Sequence, residues 1–149
     1  MKDEYRNIYK SARLTAGRTQ ERWAEMIGVS VEAVRQYEAG RILPGDNVVT
    51  AMVEVAGLPV LGYWHLCQKS RVAGELLPEV ERLPLSEAVI GLLLELHGFS
   101  EADRGRDLMR LAKDGRIDAA ERGTFEAIGR ELDGIVRAAM QVKFARGAE

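Results

Sequence analysis

Apolar residues recur every three or four positions along most of this chain, and no segment alternates apolar and polar residues with a period of two. Trp23, Ala24 and Ile27, for example, share one face of a helix. This spacing is typical of amphipathic helices, whereas a half-buried strand alternates at every second residue. The sequence therefore predicts an all-α protein.

Residues 1–67 hold five of these helical patterns, and glycines follow the first four of them. A left-handed backbone is common at the end of a helix, and glycine adopts it readily. Thr19 and Ser30 precede the second and third patterns as N-cap residues, whose side chains accept bonds from free amides. Gly28 lies in the turn between these two helices. The sequence predicts a five-helix domain over this range.

Helical spacing weakens over residues 68–84, where glycine and proline interrupt mixed charges, and we expect a linker there. Residues 85–149 carry three further helical patterns, the first opened by Ser86 and the second by Ser100. The third begins with a capping signature at Asp118 and continues as a long helix with an apolar stripe. We expect this region to pair subunits or to receive a signal. The alternative is an intramolecular bundle that buries the stripe.

Charge is nearly balanced, with 21 basic and 23 acidic residues and a formal net charge of −2 at pH 7. A DNA-binding domain is usually more basic than this, so any affinity for DNA has to come from local geometry. Basic residues do gather in and around the second and third helical patterns. Among them are Lys10, Arg13, Arg18, Arg35 and Arg41. We therefore expect weak non-specific binding.

The run Thr19–Gly40 reads as two short helices joined by a tight turn. The small Ala24 lets the two helices cross closely, Gly28 permits the turn, and Val34 fixes the angle between the helices. With these residues in place, the run resembles the Xre/Cro-type helix-turn-helix family of phage-repressor-like regulators, over about residues 5–67. The resemblance implies a five-helix, lambda-repressor-like domain of bacterial or phage type that binds double-stranded DNA.

The resemblance also implies that the helix Val31–Ala39 inserts into the major groove. Its outward glutamine suits adenine, its arginine suits guanine or phosphate, and its glutamate suits cytosine, while Val31 or Ala33 can contact a thymine methyl. The residues expected at DNA are Arg18, Gln20, Ser30, Val31, Glu32, Ala33, Arg35, Gln36 and Arg41. Arg13 and Glu38 match positions that pair internally in some phage repressors, so we assign them to structure.

Gln20 matches a family position that meets phosphate or braces a base-reading side chain. Ser30 and the amides that follow it form a helix N-terminus, which favours phosphate. Arg18 and Arg41 flank the two helices and are expected to hold the DNA backbone. For each of these polar residues the alternative is a solvated helix face that contacts nothing.

No arrangement of residues indicates catalysis, metal binding or a cofactor, and we expect none of the three. Cys67 is the single cysteine, which excludes an internal disulfide and fits a small buried residue. His65 and His97 lie far apart, without a carboxylate or thiol at ligand spacing. No apolar run approaches the ~18 residues that span a bilayer. We expect a cytoplasmic protein without a membrane contact.

Taken together, the sequence predicts a sequence-specific transcriptional regulator that acts as a homodimeric repressor. Its two recognition helices are expected about one DNA turn apart on a pseudo-palindromic site. The alternative belongs to another class, a protein-interaction module such as an antitoxin that neutralises a toxin. In that case the C-terminal helices would bind a protein partner.

Overall fold

The computed structural model describes residues 7–147, and these form nine α-helices in two units that divide between Leu77 and Pro78. Unit 1 contains α1 (Ile8–Thr15), α2 (Gln20–Ile27), α3 (Val31–Glu38), α4 (Asp46–Ala56), α5 (Val60–Lys69) and α6 (Arg71–Leu76). Unit 2 contains α7 (Leu85–Glu101), α8 (Arg104–Leu111) and α9 (Arg122–Lys143). The predicted all-α class with a long last helix is confirmed. Residues 1–6 and 148–149, at the outer limits of the two predicted regions, lie outside the described residues.

Unit 1 has a filled apolar core between its first five helices. Trp23, Val34, Met52, Val60 and Leu61 are among its largest fully buried side chains. Helix α1 packs against α3, α4 and α5, while α2 packs against α3 and α4. Burying a large apolar side chain stabilises a fold by about 1.5–3 kcal/mol, so this core fixes the position of α3.

The ends of α2 and α3 follow the predicted signals. The hydroxyl of Thr19 accepts a hydrogen bond from the Arg22 amide at 3.2 Å, and the hydroxyl of Ser30 accepts one from the Ala33 amide at 3.1 Å. Gly28, between the two helices, has φ of 72°. Because residues with a Cβ rarely adopt this backbone, glycine sets the turn that separates α2 from α3.

His65 is buried in unit 1 with polar partners on two other helices. Its Nε2 lies 3.1 Å from Asp46 Oδ1, and its Nδ1 lies 2.8 Å from the Tyr9 hydroxyl. The sequence places no carboxylate at ligand spacing from His65, because Asp46 comes from α4 and is close only in three dimensions. Lys69 also donates to Asp46 Oδ1, at 2.6 Å, and the pKa of that carboxyl is held below its usual value, first by Lys69 and then by His65.

The segment predicted as a linker, residues 68–84, holds the end of α5 and the whole of α6. Ser70 caps α6 by accepting a bond from the Ala73 amide at 3.2 Å. Gly74 approaches α5 so closely that a Cβ there would lie 2.9 Å from the Cys67 carbonyl oxygen. Glycine at this position breaks the sequence pattern but allows the two helices to touch, which explains why the pattern suggested an irregular segment.

Unit 2 is built on the contact between α7 and α9. The Arg146 amide donates to the Leu83 carbonyl at 2.9 Å, and the Leu85 amide donates to the Arg146 carbonyl at 3.1 Å. These bonds bring the start of α7 to the end of α9. A Cβ at Gly134 would lie 2.9 Å from Glu95 Oε2, so the glycine accommodates that carboxylate where the two helices meet.

Two predicted helix starts in unit 2 differ from the structure. Ser100 does not open a helix but lies inside α7, which ends at Glu101, and Asp103 with φ of 54° makes the turn instead. The capping signature at Asp118 is present, since its carboxylate accepts from the Glu121 amide at 2.8 Å and its amide donates to Glu121 Oε2 at 3.2 Å. Helix α9 nevertheless begins at Arg122, because the capped residues form a turn.

Candidate nucleic-acid interface

Helix α3 buries one side against unit 1 and leaves the other side open. Val34 is buried, while Glu32 and Arg35 are exposed. Val31, Ala33 and Gln36 are half-buried on the same open side. The helix therefore presents a strip with one acid, one base, one amide and two small apolar side chains, which is the mixture of groups that can read base edges.

A buried ion pair anchors the end of α3. Two guanidinium nitrogens of Arg13 donate to the Glu38 carboxylate, and the two side chains are only 10% and 7% exposed. The third guanidinium nitrogen donates to the Arg18 carbonyl at 2.7 Å. Hydrogen bonding to Glu38 raises the pKa of the Arg13 guanidinium above its usual value, despite burial. The predicted internal pair is confirmed, and it joins α1, α3 and the loop before α2.

Gln20 shares that anchor. Its Nε2 donates to Glu38 Oε2 at 2.8 Å, so the first residue of α2 is tied to the last residue of α3. A bond between these two residues keeps the two helices of the motif at a fixed angle. It also occupies the amide nitrogen of Gln20 in the free protein, while contact of this residue with DNA stays a prediction.

Asn7 makes a second link between the start of α1 and α3, and this link was not predicted. Its Oδ1 accepts bonds from the Tyr9 and Lys10 amides and caps α1, while its Nδ2 donates to the Tyr37 carbonyl at 2.7 Å. An asparagine before a helical pattern is a cap signal that could have been found in the sequence. The bond to Tyr37 could not, since it joins residues thirty positions apart.

Three of the predicted DNA residues contact one another along α3. Gln36 Nε2 donates to Glu32 Oε1, one turn earlier on the helix. Arg35 Nη1 lies 3.7 Å from the other oxygen, Glu32 Oε2. The acid of the first turn therefore engages both of the longer side chains that follow it.

The remaining predicted residues lie at the borders of the motif. Arg18 is exposed in the loop between α1 and α2, and Arg41 is exposed just beyond α3. Ser30 is exposed at the start of α3, with its oxygen used in the cap and its hydroxyl hydrogen available to an acceptor. Cationic side chains at both ends of the motif are suitably placed to hold phosphates on either side of a groove.

Comparison with protein families gives one match: residues 10–62 match the Helix-turn-helix family model. Unit 1 carries a helix-turn-helix domain of the Xre type. This domain is a DNA-binding module of transcription regulators, and the matched range runs from the first turn of α1 to the first turn of α5. Comparison with curated proteins and with solved structures gave no match. The helix-turn-helix domain is therefore identified by the family match and by the geometry of α2 and α3.

Over residues 7–147, no group of three histidine, cysteine or acidic side chains is placed to hold a metal ion. None of the helices α1 to α9 has both the length and the apolar character needed to cross a membrane.

Proposed function

We propose that this protein is a sequence-specific regulator that inserts α3 into the major groove and represses transcription by covering a promoter. One observation supports this most strongly. The open side of α3 carries Glu32, Arg35 and Gln36. At the end of the same helix, Glu38 is hydrogen-bonded to Arg13 and Gln20, which holds α3 against α1 and α2. A recognition element held rigidly by its support loses little entropy when it binds.

Selection of bound duplexes from a random DNA pool tests this proposal on the full chain. The wild-type protein is expected to enrich one motif, and Gln36→Ala is expected to weaken binding by about 1–3 kcal/mol and to relax the preference at one base pair. Gln68→Ala, an exposed glutamine in α5, serves as the matched control and should leave the motif unchanged. If the folded wild-type protein enriches no motif, the proposal is wrong.

The regulator is further proposed to act as a homodimer joined through unit 2. Six exposed apolar residues lie on α7, namely Leu85, Val89, Ile90, Leu93, Leu94 and Leu96. A helix that is apolar on nearly every side is normally buried. On α9, Phe125, Leu132 and Val136 are exposed as well. This amount of exposed apolar surface is typical of a protein interaction site.

A second copy of the chain is the partner that the charge pattern of α7 favours. Leu85, Val89, Leu93 and Leu96, here called the pairing face, follow one another at spacings of four, four and three and line one side of the helix. The charged residues of α7 are Glu87, Glu95 and Glu101, all acidic and none of them within this set. In a twofold dimer a residue near the axis faces its own copy, so an interface without charge avoids self-repulsion.

Analytical ultracentrifugation of the full chain tests the dimer. The wild-type protein is expected to dimerise, and Leu93→Asp is expected to weaken dimerisation at least tenfold because it places like charges opposite each other. Leu14→Asp makes the same change at an exposed leucine of unit 1 and should leave the dimer intact. A monomeric wild-type protein would contradict the dimer. A stable complex of that monomer with a different protein would favour the antitoxin-like alternative.

A further inference from the structure

Two side chains on the open side of α3 are coupled, and their coupling determines which groups they offer to a ligand. Glu32 Oε1 accepts a bond from Gln36 Nε2, and we call these two residues the acceptor pair. Glu32 is well exposed, with 64% of its side chain accessible, so the pair lies at the surface of the recognition helix. Any role of the acceptor pair in base recognition rests on the proposed binding of DNA by this helix.

Hydrogen bonding within the pair leaves mainly acceptors facing outwards. An amide side chain has two N–H donors and one oxygen acceptor, while an ionised carboxylate only accepts. One donor of Gln36 is used by Glu32, and Gln36 Oε1 has no hydrogen-bond partner among residues 7–147. Both side chains therefore direct free acceptor capacity outwards, and only one N–H of Gln36 remains to donate.

Base edges in the major groove differ in whether they can meet such a surface. Cytosine offers the N4 amino donor and adenine the N6 amino donor, whereas guanine offers only the acceptors N7 and O6 and thymine offers the acceptor O4. A carboxylate placed opposite guanine would face like partial charges. Adenine also carries its acceptor N7 beside N6, so cytosine suits the carboxylate better.

We propose that the acceptor pair acts as one reading unit that selects an exocyclic amino group, cytosine N4 in preference to adenine N6, and rejects guanine at the same position. Glu32 is then a specificity-determining residue of the domain. Its second role is to favour one orientation of Gln36 before DNA arrives. The nearby guanidinium of Arg35, 3.7 Å from Glu32 Oε2, offsets part of the repulsion between this carboxylate and the phosphates.

Duplex selection with three variants of the full chain tests the proposal. Glu32→Gln is expected to lose discrimination against guanine at one base pair by about tenfold. Gln36→Ala should alter the same base pair, and the double variant should lose less than the two single losses combined, since one unit is removed twice. Glu25→Gln is the matched control, because Glu25 is an exposed acid of α2 with its own arginine partner, Arg22. It should leave the motif unchanged.

Circular dichroism checks that every variant is folded, so each selection result either supports or overturns the proposed reading unit. A motif shared by wild type and Glu32→Gln overturns the reading unit and leaves the proposed regulator standing. Changes at two different base pairs, or a guanine preferred at the contacted position by the wild type, also overturn it. An equal change in Glu25→Gln would mean that charge alone acts, which contradicts the proposal. If the wild type enriches no motif, the proposed regulator and this inference fail together.

Discussion

Unit 1 and unit 2 are of similar length, yet they differ in how far they bury their apolar side chains. Unit 1 buries large residues in its core, including Trp23, Met52 and Leu61. In unit 2, Ile128 and Leu111 are buried beside the smaller Ala88 and Ala138, while many other large side chains of α7 and α9 remain exposed. A unit with a filled core can hold a rigid reading helix. A unit with an open apolar side gains stability when something covers that side.

The two units also differ in the solvent exposure of their ion pairs. The ion pair Arg13–Glu38 in unit 1 is nearly inaccessible to solvent, with side-chain exposures of 10% and 7%. In unit 2, Arg104 bonds to Glu131 and Asp107, and these side chains are 23% to 34% exposed. Solvent weakens the second cluster, so removing one partner should destabilise unit 1 more than the same change destabilises unit 2.

The largest expected effect concerns the cores. Met52→Ala removes a fully buried side chain of α4 and should lower the free energy of unfolding of unit 1 by about 2–5 kcal/mol. Met109→Ala is the matched change in unit 2, where Met109 is 75% exposed, and should alter stability by no more than about 0.5 kcal/mol. Urea unfolding followed by circular dichroism measures both. Similar losses in the two variants would remove the contrast between the units.

The next effect concerns the ion pairs. Glu38→Gln leaves the Arg13 charge buried without its carboxylate and should destabilise unit 1 by about 2–3 kcal/mol. Glu131→Gln should cause a much smaller change, because Arg104 keeps Asp107 as a partner and is partly solvated. Both tryptophans of the chain, Trp23 and Trp64, belong to unit 1, so fluorescence during urea unfolding reports on that unit. An unaltered midpoint for Glu38→Gln would mean that the anchor does not stabilise α3.

A smaller effect concerns Tyr9, whose hydroxyl contacts buried His65. Tyr9→Phe should cost about 1 kcal/mol at pH 7, since His65 Nδ1 loses its partner. Burial raises the pKa of Tyr9 to about 12, above the ~10 of an unfolded chain. The folded state therefore favours the protonated phenol, and this contribution is complete below pH ~10 and is lost as the pH rises towards 12.

The two stabilities should consequently converge in alkali. The wild-type protein is expected to lose more stability than Tyr9→Phe between pH 10 and 12, as urea midpoints at several pH values would show. Parallel declines in the two proteins would contradict the role given to the buried phenol.

Local signals made much of unit 1 predictable from sequence. Thr19, Gly28 and Ser30 act within a few residues of themselves, so their types alone indicate the helix ends that the structure contains. Ser100 has the same chemistry as Ser30, but it lies inside α7, where packing of the long helix on α9 outweighs the local preference. A cap residue therefore predicts a helix end only where tertiary packing does not override it.

Contacts between residues far apart in the chain could not be predicted from the sequence. The bonds from His65 to Asp46 and Tyr9 span 19 and 56 positions, and the bond from Gln20 to Glu38 spans 18. No spacing rule relates residues that far apart. The sequence did indicate which side of α3 would be open, because the helical period determines it. Glu32 and Gln36 lie four positions apart on that side, the spacing at which side chains of a helix contact each other.

Amide hydrogen exchange of the full chain, measured at low and high protein concentration, tests the contrast between the units most directly. We predict that amides of α7 around the pairing face exchange more slowly as concentration rises, whereas amides of α2 and α3 exchange at the same rate. The first result would show that a second copy covers α7, and the second that unit 1 is complete by itself. Exchange in α7 that does not depend on concentration, or protection in α3 that does, would contradict the account.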